Sequence, residues 1–217
     1  MQRFKKIAVP ILEYLLIMGL AVAIRQLLFV KLDEAFTSLF YKASLLILFA
    51  AVFLKSKTHR QTFFQIKAKL NAKDYALVLF LGLLFLANNL YFKSSNSFNY
   101  GEFGSTYFML SFLSISIASI GEEFAYRGFL QTKINQAFKL KTCSFLSPGN
   151  VLASVIMLIS HFGFFSIMSI DQAIPSLILV LVFSLIAGYF KDKYQSLMLP
   201  IGIHLLMNYI HVAISMN

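Results

Sequence analysis

The chain has 217 residues, of which 59% are hydrophobic and 13% charged, with a mean hydropathy of +0.75. A soluble domain carries roughly 25% charge, and one small domain cannot bury so many wholly apolar segments, so an integral membrane protein is expected. The net charge of +10 does not point to nucleic acid, because the basic residues sit in short stretches between apolar blocks.

In chain order, the apolar blocks cover residues 7–30, 35–54, 74–92, 106–130, 149–169, 174–190 and 197–215. Most have the length needed to cross a hydrocarbon core about 30 Å thick. The expected fold is an all-α polytopic transmembrane bundle of about seven spans, a single domain over residues 1–217. Its setting is the lipid bilayer of the cell membrane. The first block carries Pro10, Glu13 and Arg25, which predicts a kinked or partly interfacial span. Glu13 inside the run and the length of the run favour an uncleaved span over a signal peptide.

Lysine and arginine then set the orientation. With a cytoplasmic N-terminus the inside segments hold Arg3, Lys5 and Lys6, the six basic residues between Lys55 and Lys73, then Lys133, Lys139, Lys141, Lys191 and Lys193. The outside loops keep only Lys31 and Lys93. That asymmetry predicts the N-terminus inside. The stretch 55–73 reads either as a basic amphipathic segment on the inner leaflet or as a plain topogenic loop. The single cysteine, Cys143, excludes a disulfide framework within the chain and a cysteine-rich metal site.

Charges inside a span are expensive and usually mark a paired or working group. The fourth block ends in Gly121-Glu122-Glu123-Phe-Ala-Tyr-Arg127-Gly128, the fifth contains His161, and the seventh contains His204 and Asn208. At 1.5 Å per residue, Glu122 lies about 8 Å from the cytoplasmic edge, and His161, His204 and Asn208 lie about 17, 10 and 16 Å in. All four thus fall in one slab that reaches from near that edge to about the midplane. Residues four apart share a helix face, so Arg127 is expected to neutralise and orient Glu123, leaving Glu122 free to act. His204 and Asn208 share a face as well, which His211 continues toward the outer side. Glu13 and Lys42 are expected to pair across the first two helices or to face a cavity.

A carboxylate and a histidine can share a water and take its proton as it attacks a carbonyl. A second histidine and an asparagine amide can donate hydrogen bonds to the developing oxyanion. Together these groups suit amide hydrolysis without a protein nucleophile. No G-x-S-x-G elbow or H-E-x-x-H pair is present. A divalent ion such as zinc on Glu122, His161 and His204 is the other arrangement these side chains allow.

Glu122-Glu123-x-x-x-Arg127-Gly128, His161 on the next span and His204-x-x-x-Asn208 on the last resemble the CAAX-protease and bacteriocin-processing (CPBP, or Abi) family of intramembrane proteases, type II CAAX prenyl endopeptidases among them. The resemblance covers about residues 106–212. One departure is that Met157 stands four residues before His161, where the family usually has phenylalanine. The resemblance implies that Glu122 and His161 activate the water, that His204 and Asn208 stabilise the oxyanion, and that Glu123 and Arg127 support them. It favours a glutamate-type, metal-independent mechanism over a metal-dependent one. The implied partner is a peptide or protein substrate, in bacteriocin immunity or peptide processing. The competing expectation is a non-catalytic immunity protein that binds a bacteriocin or its receptor. A proton-coupled transporter is disfavoured, since no inverted repeat or pair of broken helices is evident.

Overall fold

The computed structural model describes residues 2–28, 34–55, 69–93, 100–138 and 145–216. Cys143 and most of the basic stretch at 55–73 lie outside the described residues. The elements are α1 (Gln2–Leu28), α2 (Glu34–Leu54), α3 (Ala72–Tyr91), α4 (Thr106–Glu123), a π-helical segment (Phe124–Gln131), α5 (Thr132–Ala137), α6 (Pro148–Ser160), a 3-10 segment (Phe162–Ser166), α7 (Ile170–Tyr194) and α8 (Met198–Ser215). Among the described residues there is no strand, and seven helical stretches are long and apolar enough to cross a membrane. The fold is an all-α polytopic bundle.

Local chemistry explains several boundaries. Asn71 and Asp74 form a reciprocal capping box at the start of α3, each side chain accepting the other's backbone N–H at 3.0 Å. Ser105 caps α4 through Phe108 N, and Ser147 caps α6 through Asn150 N with Pro148 in the first turn. Pro10, Glu13 and Arg25 do not interrupt α1, which is helical throughout. The fourth span runs on past residue 130 to Ala137, because the π-helical segment joins α4 to α5 without a break.

The helices share burial unequally. In the most apolar 18-residue stretch of each of the three N-terminal spans only 17%, 17% and 11% of residues are buried, against 39%, 28%, 50% and 33% in the four that follow. Residues 106–215 therefore form the centre, and α1–α3 flank it. Helix α2 packs along α4, α1 leans on α2, and α3 touches α7 and α8. The core runs through Phe53, Leu81, Phe124, Leu130, Met157, Phe183, Phe190 and Met207.

Polar side chains lock the end of the bundle where α5, the start of α6 and the end of α7 meet. Gln131 Nε2 donates to the Gly188 carbonyl at 2.9 Å, and Asn150 Nδ2 donates to the carbonyls of Leu185 and Phe145 at 2.9 and 3.0 Å. Asp192 accepts from Asn135 at 2.9 Å and from Ser147 at 3.2 Å. Only a glycine fits at 188, since a Cβ there would stand 1.8 Å from Asn150 Oδ1. Asp74 ties the capping box of α3 to Lys193 and Tyr194 of α7.

Candidate active site

Glu122 and Glu123 are the last two residues of α4, and the widened π turn follows them at once. Such insertions into an α-helix are frequent at functional sites. Here all eight residues of the π segment are buried. Glu123 Oε2 lies 3.5 Å from Arg127 Nε, and both side chains are completely shielded from solvent. The pairing expected from the four-residue spacing is present. Three further contacts were not legible in the motif. Glu123 Oε1 accepts from His204 Nδ1 at 2.9 Å, and Arg127 Nη2 donates to Ser184 Oγ at 2.6 Å while resting 3.5 Å from Met157 Sδ. Glu123 is thus held between an arginine of its own chain segment and a histidine of α8.

His161 is positioned by the way α6 ends. Its backbone N–H turns back to the Leu158 carbonyl at 3.1 Å as the helix tightens into the 3-10 segment. That leaves the Met157 carbonyl, the partner it would have in a continuing α-helix, to receive His161 Nδ1 at 2.8 Å and Ser160 Oγ at 2.7 Å. A carbonyl only accepts, so Nδ1 carries the hydrogen and the neutral ring presents the lone pair of Nε2. Behind it, Tyr14 OH donates to Tyr126 OH at 3.3 Å and Tyr126 OH donates to Ser160 Oγ at 2.8 Å. Met157, the departure from the family's phenylalanine, therefore anchors His161 with its backbone and touches Arg127 with its sulfur.

Glu122 Oε2 stands 3.9 Å from the Nε2 of both His161 and His204. That distance is too long for a direct hydrogen bond. The same oxygen is buried and has no hydrogen-bond partner. The two histidines and Asn208 line a cavity of about 300 Å³, with Phe183 and Met207 at its base. Glu122 itself is not part of that wall. Asn208 uses one amide hydrogen on Ser119 Oγ at 2.8 Å, and Ser119 in turn bonds the Ile115 carbonyl. Glu122, His161, His204 and Asn208 thus come together from three helices.

Of the two readings for Glu13 and Lys42, a pair across the first two helices or a group facing a cavity, the second holds for Lys42. Glu13 does not pair with Lys42. It takes Lys133, whereas Lys42 donates to Ser114 Oγ at 2.9 Å and faces the cavity. His211 lines the same cavity and bonds Asn89 Oδ1. Asn88, Asn89 and Gln172, which belong to no motif, also line it.

A metal centre at this place would need Glu122, His161 and His204 to converge. Among the described residues no group of three His, Cys, Asp or Glu side chains is placed to hold a metal ion. Ligand atoms on a tetrahedral zinc stand about 3.3 Å apart, and both separations from Glu122 exceed that. The residues as arranged do not fit a bound metal.

An all-helical membrane bundle with carboxylates and histidines gathered beside a cavity defines a class, and the comparisons give it a family. Residues 104–210 match the family model described as type II CAAX prenyl endopeptidase Rce1-like. Over that segment, about half its length, the chain belongs to the CAAX-protease (CPBP) family of intramembrane endopeptidases. No curated protein and no solved structure matches the chain.

Proposed function

We propose that the protein hydrolyses a peptide bond of a membrane-associated peptide or protein with a water activated by Glu122 and His161. The observation that carries this reading is the position of Glu122 Oε2, unpartnered and 3.9 Å from the Nε2 atoms of two histidines that line the cavity. One water can touch a carboxylate oxygen and a histidine nitrogen at that separation. As its oxygen attacks the carbonyl carbon, its proton passes to Glu122 or His161 and later to the departing amine nitrogen.

His204 and the free amide hydrogen of Asn208 supply the donors for the oxyanion. Because Nδ1 of His204 faces the Glu123 carboxylate, its Nε2 can donate only when the ring is doubly protonated. Glu123 is the acceptor that holds the ring in place. Arg127 and Ser184 fix Glu123 from behind. The charge distribution of the sequence supports an N-terminus on the cytoplasmic side, which reporter fusions at both termini test.

The decisive experiment follows cleavage of a peptide by the purified chain in lipid nanodiscs, with elemental analysis of the same sample. Activity that survives exhaustive chelation is expected. A stoichiometric transition metal whose removal abolishes cleavage, and whose return restores it, overturns the metal-free mechanism.

A further inference from the structure

Helix α1 buries little of itself. Leu12, Leu15, Leu16 and Leu20 face outward, and among its described side chains only Pro10, Tyr14 and Ala21 are buried. Of these, Tyr14 alone has a polar group. Its ring lies against Phe49 of α2 and Tyr126 of the π segment, with centroids 5.7 and 5.9 Å apart, and the neighbouring Glu13 pairs with Lys133 of α5. A phenylalanine ring would fill that place equally well. A buried hydroxyl is unfavourable unless it is hydrogen-bonded, so what Tyr14 bonds to explains its presence.

The hydroxyl begins a chain that ends at His161. Tyr14 donates to Tyr126 at 3.3 Å, Tyr126 to Ser160 Oγ at 2.8 Å, and Ser160 to the Met157 carbonyl at 2.7 Å, where His161 Nδ1 also arrives at 2.8 Å. A hydroxyl has one hydrogen, so the chain runs in one direction and every hydrogen in it is used. Ser160 nevertheless has a second choice, because its Oγ is only 3.3 Å from Nδ1. If it turned its hydrogen there, the ring would carry its own on Nε2, facing Glu122 Oε2 at 3.9 Å. An N–H aimed at a carboxylate is favourable, so Glu122 pulls toward that form. A ring with its hydrogen on Nε2 cannot take a proton from water at that atom. Two features oppose the change. It strips the Met157 carbonyl of both donors, and Tyr126 fixes Oγ within reach of that carbonyl.

Resting on the peptidase reading above, we propose that Tyr126, held by Tyr14 of α1, is a positioning residue that acts through Ser160 to keep the hydrogen of His161 on Nδ1. Nε2 then keeps its lone pair for the water. As the water O–H bond breaks, the hydrogen goes to Nε2 and the oxygen forms the new bond to the carbonyl carbon. The first span thus completes the site although it lies outside residues 104–210.

The test reads the tautomer directly, without turnover. The full chain with 15N-labelled histidine, in lipid nanodiscs at mildly alkaline pH, is followed by NMR, in which a protonated ring nitrogen and one with a lone pair resonate far apart. Loss of a signal in His161→Gln assigns the ring. Wild type is expected to show a protonated Nδ1 and an unprotonated Nε2. Tyr126→Phe should move signal to the form protonated at Nε2, and Tyr14→Phe should do the same to a smaller extent. With Ser160→Ala already present, Tyr126→Phe should change nothing further, since the hydroxyl through which it acts is gone.

Peptide hydrolysis is followed in parallel. Tyr126→Phe should lower kcat about fivefold with KM unchanged, the size of one hydrogen bond, and this loss too should vanish beside Ser160→Ala. An unchanged tautomer in both tyrosine variants overturns the proposal. So does a Tyr126→Phe effect of the same size with and without Ser160, which marks a merely structural hydroxyl. Hydrolysis by a wild-type chain whose tautomer ignores Tyr126 leaves the peptidase reading standing and removes this one. A tautomer controlled by Tyr126 in a chain that cleaves no peptide does the reverse.

Discussion

The two ends of the central bundle use polar side chains in opposite ways. At the end formed by α5, the start of α6 and the end of α7, Gln131, Asn135, Asn150 and Asp192 are tied to backbone carbonyls and to one another. At and beside the cavity, Gln172 Oε1 and Glu122 Oε2 are buried without a hydrogen-bond partner, and among the described residues Lys42 forms no ion pair and donates to the Ser114 hydroxyl. Burying a polar group is unfavourable unless it is hydrogen-bonded. At the first end that demand is largely met inside the protein, which makes the end rigid. At the second it is left open. Glu123 lies on the boundary, adjacent in sequence to Glu122 but hydrogen-bonded to His204 through Oε1 and ion-paired with Arg127 through Oε2.

Substitutions should therefore separate activity from stability according to region. The largest effect is expected from Glu122→Gln, which removes the base but keeps size and shape. Hydrolysis should fall by about 10² to 10⁴-fold with thermal stability in detergent unchanged. A matching loss of stability would break the division between the two ends. Glu123→Ala should act the other way first. It leaves Arg127 buried without its carboxylate, at about 3–5 kcal/mol by analogy with soluble proteins, and folded yield and melting temperature report it. Wild-type stability for this variant would show that the pair is not structural.

Asn208→Ala, on the cavity side, should lower turnover by about 10² to 10³-fold with little change in melting temperature, as expected for a lost oxyanion donor. Gly188→Ala sharpens the other end. Its new methyl meets Asn150 at a distance no relaxed packing allows, for about 1–3 kcal/mol of lost stability measured by thermal unfolding. Its specific activity per folded molecule should stay the same. The smallest effect belongs to Tyr126→Phe, which removes one hydroxyl behind Ser160 and His161, for about 1 kcal/mol in stability or turnover.

Much of this molecule is written locally. Spans follow from runs of apolar residues, because a bilayer demands length and hydrophobicity and every helix satisfies its own backbone. Asn71, Ser105 and Ser147 announce the helix starts by the same local logic. The Glu123–Arg127 pair follows from four-residue spacing, and the common slab of Glu122, His161, His204 and Asn208 follows from counting residues along spans. Tertiary packing decided the rest. The π turn after Glu123 and the release of the Met157 carbonyl to hold His161 are local departures from the α-helix, while the link from Glu123 to His204, Ser184 behind Arg127, and Lys42 turned to the cavity and away from Glu13 join segments tens of residues apart. Sequence periodicity specifies which face of a helix is polar. It carries no information on which partner that face meets, since the partner is selected by helix packing and by the polar groups that packing leaves unsatisfied.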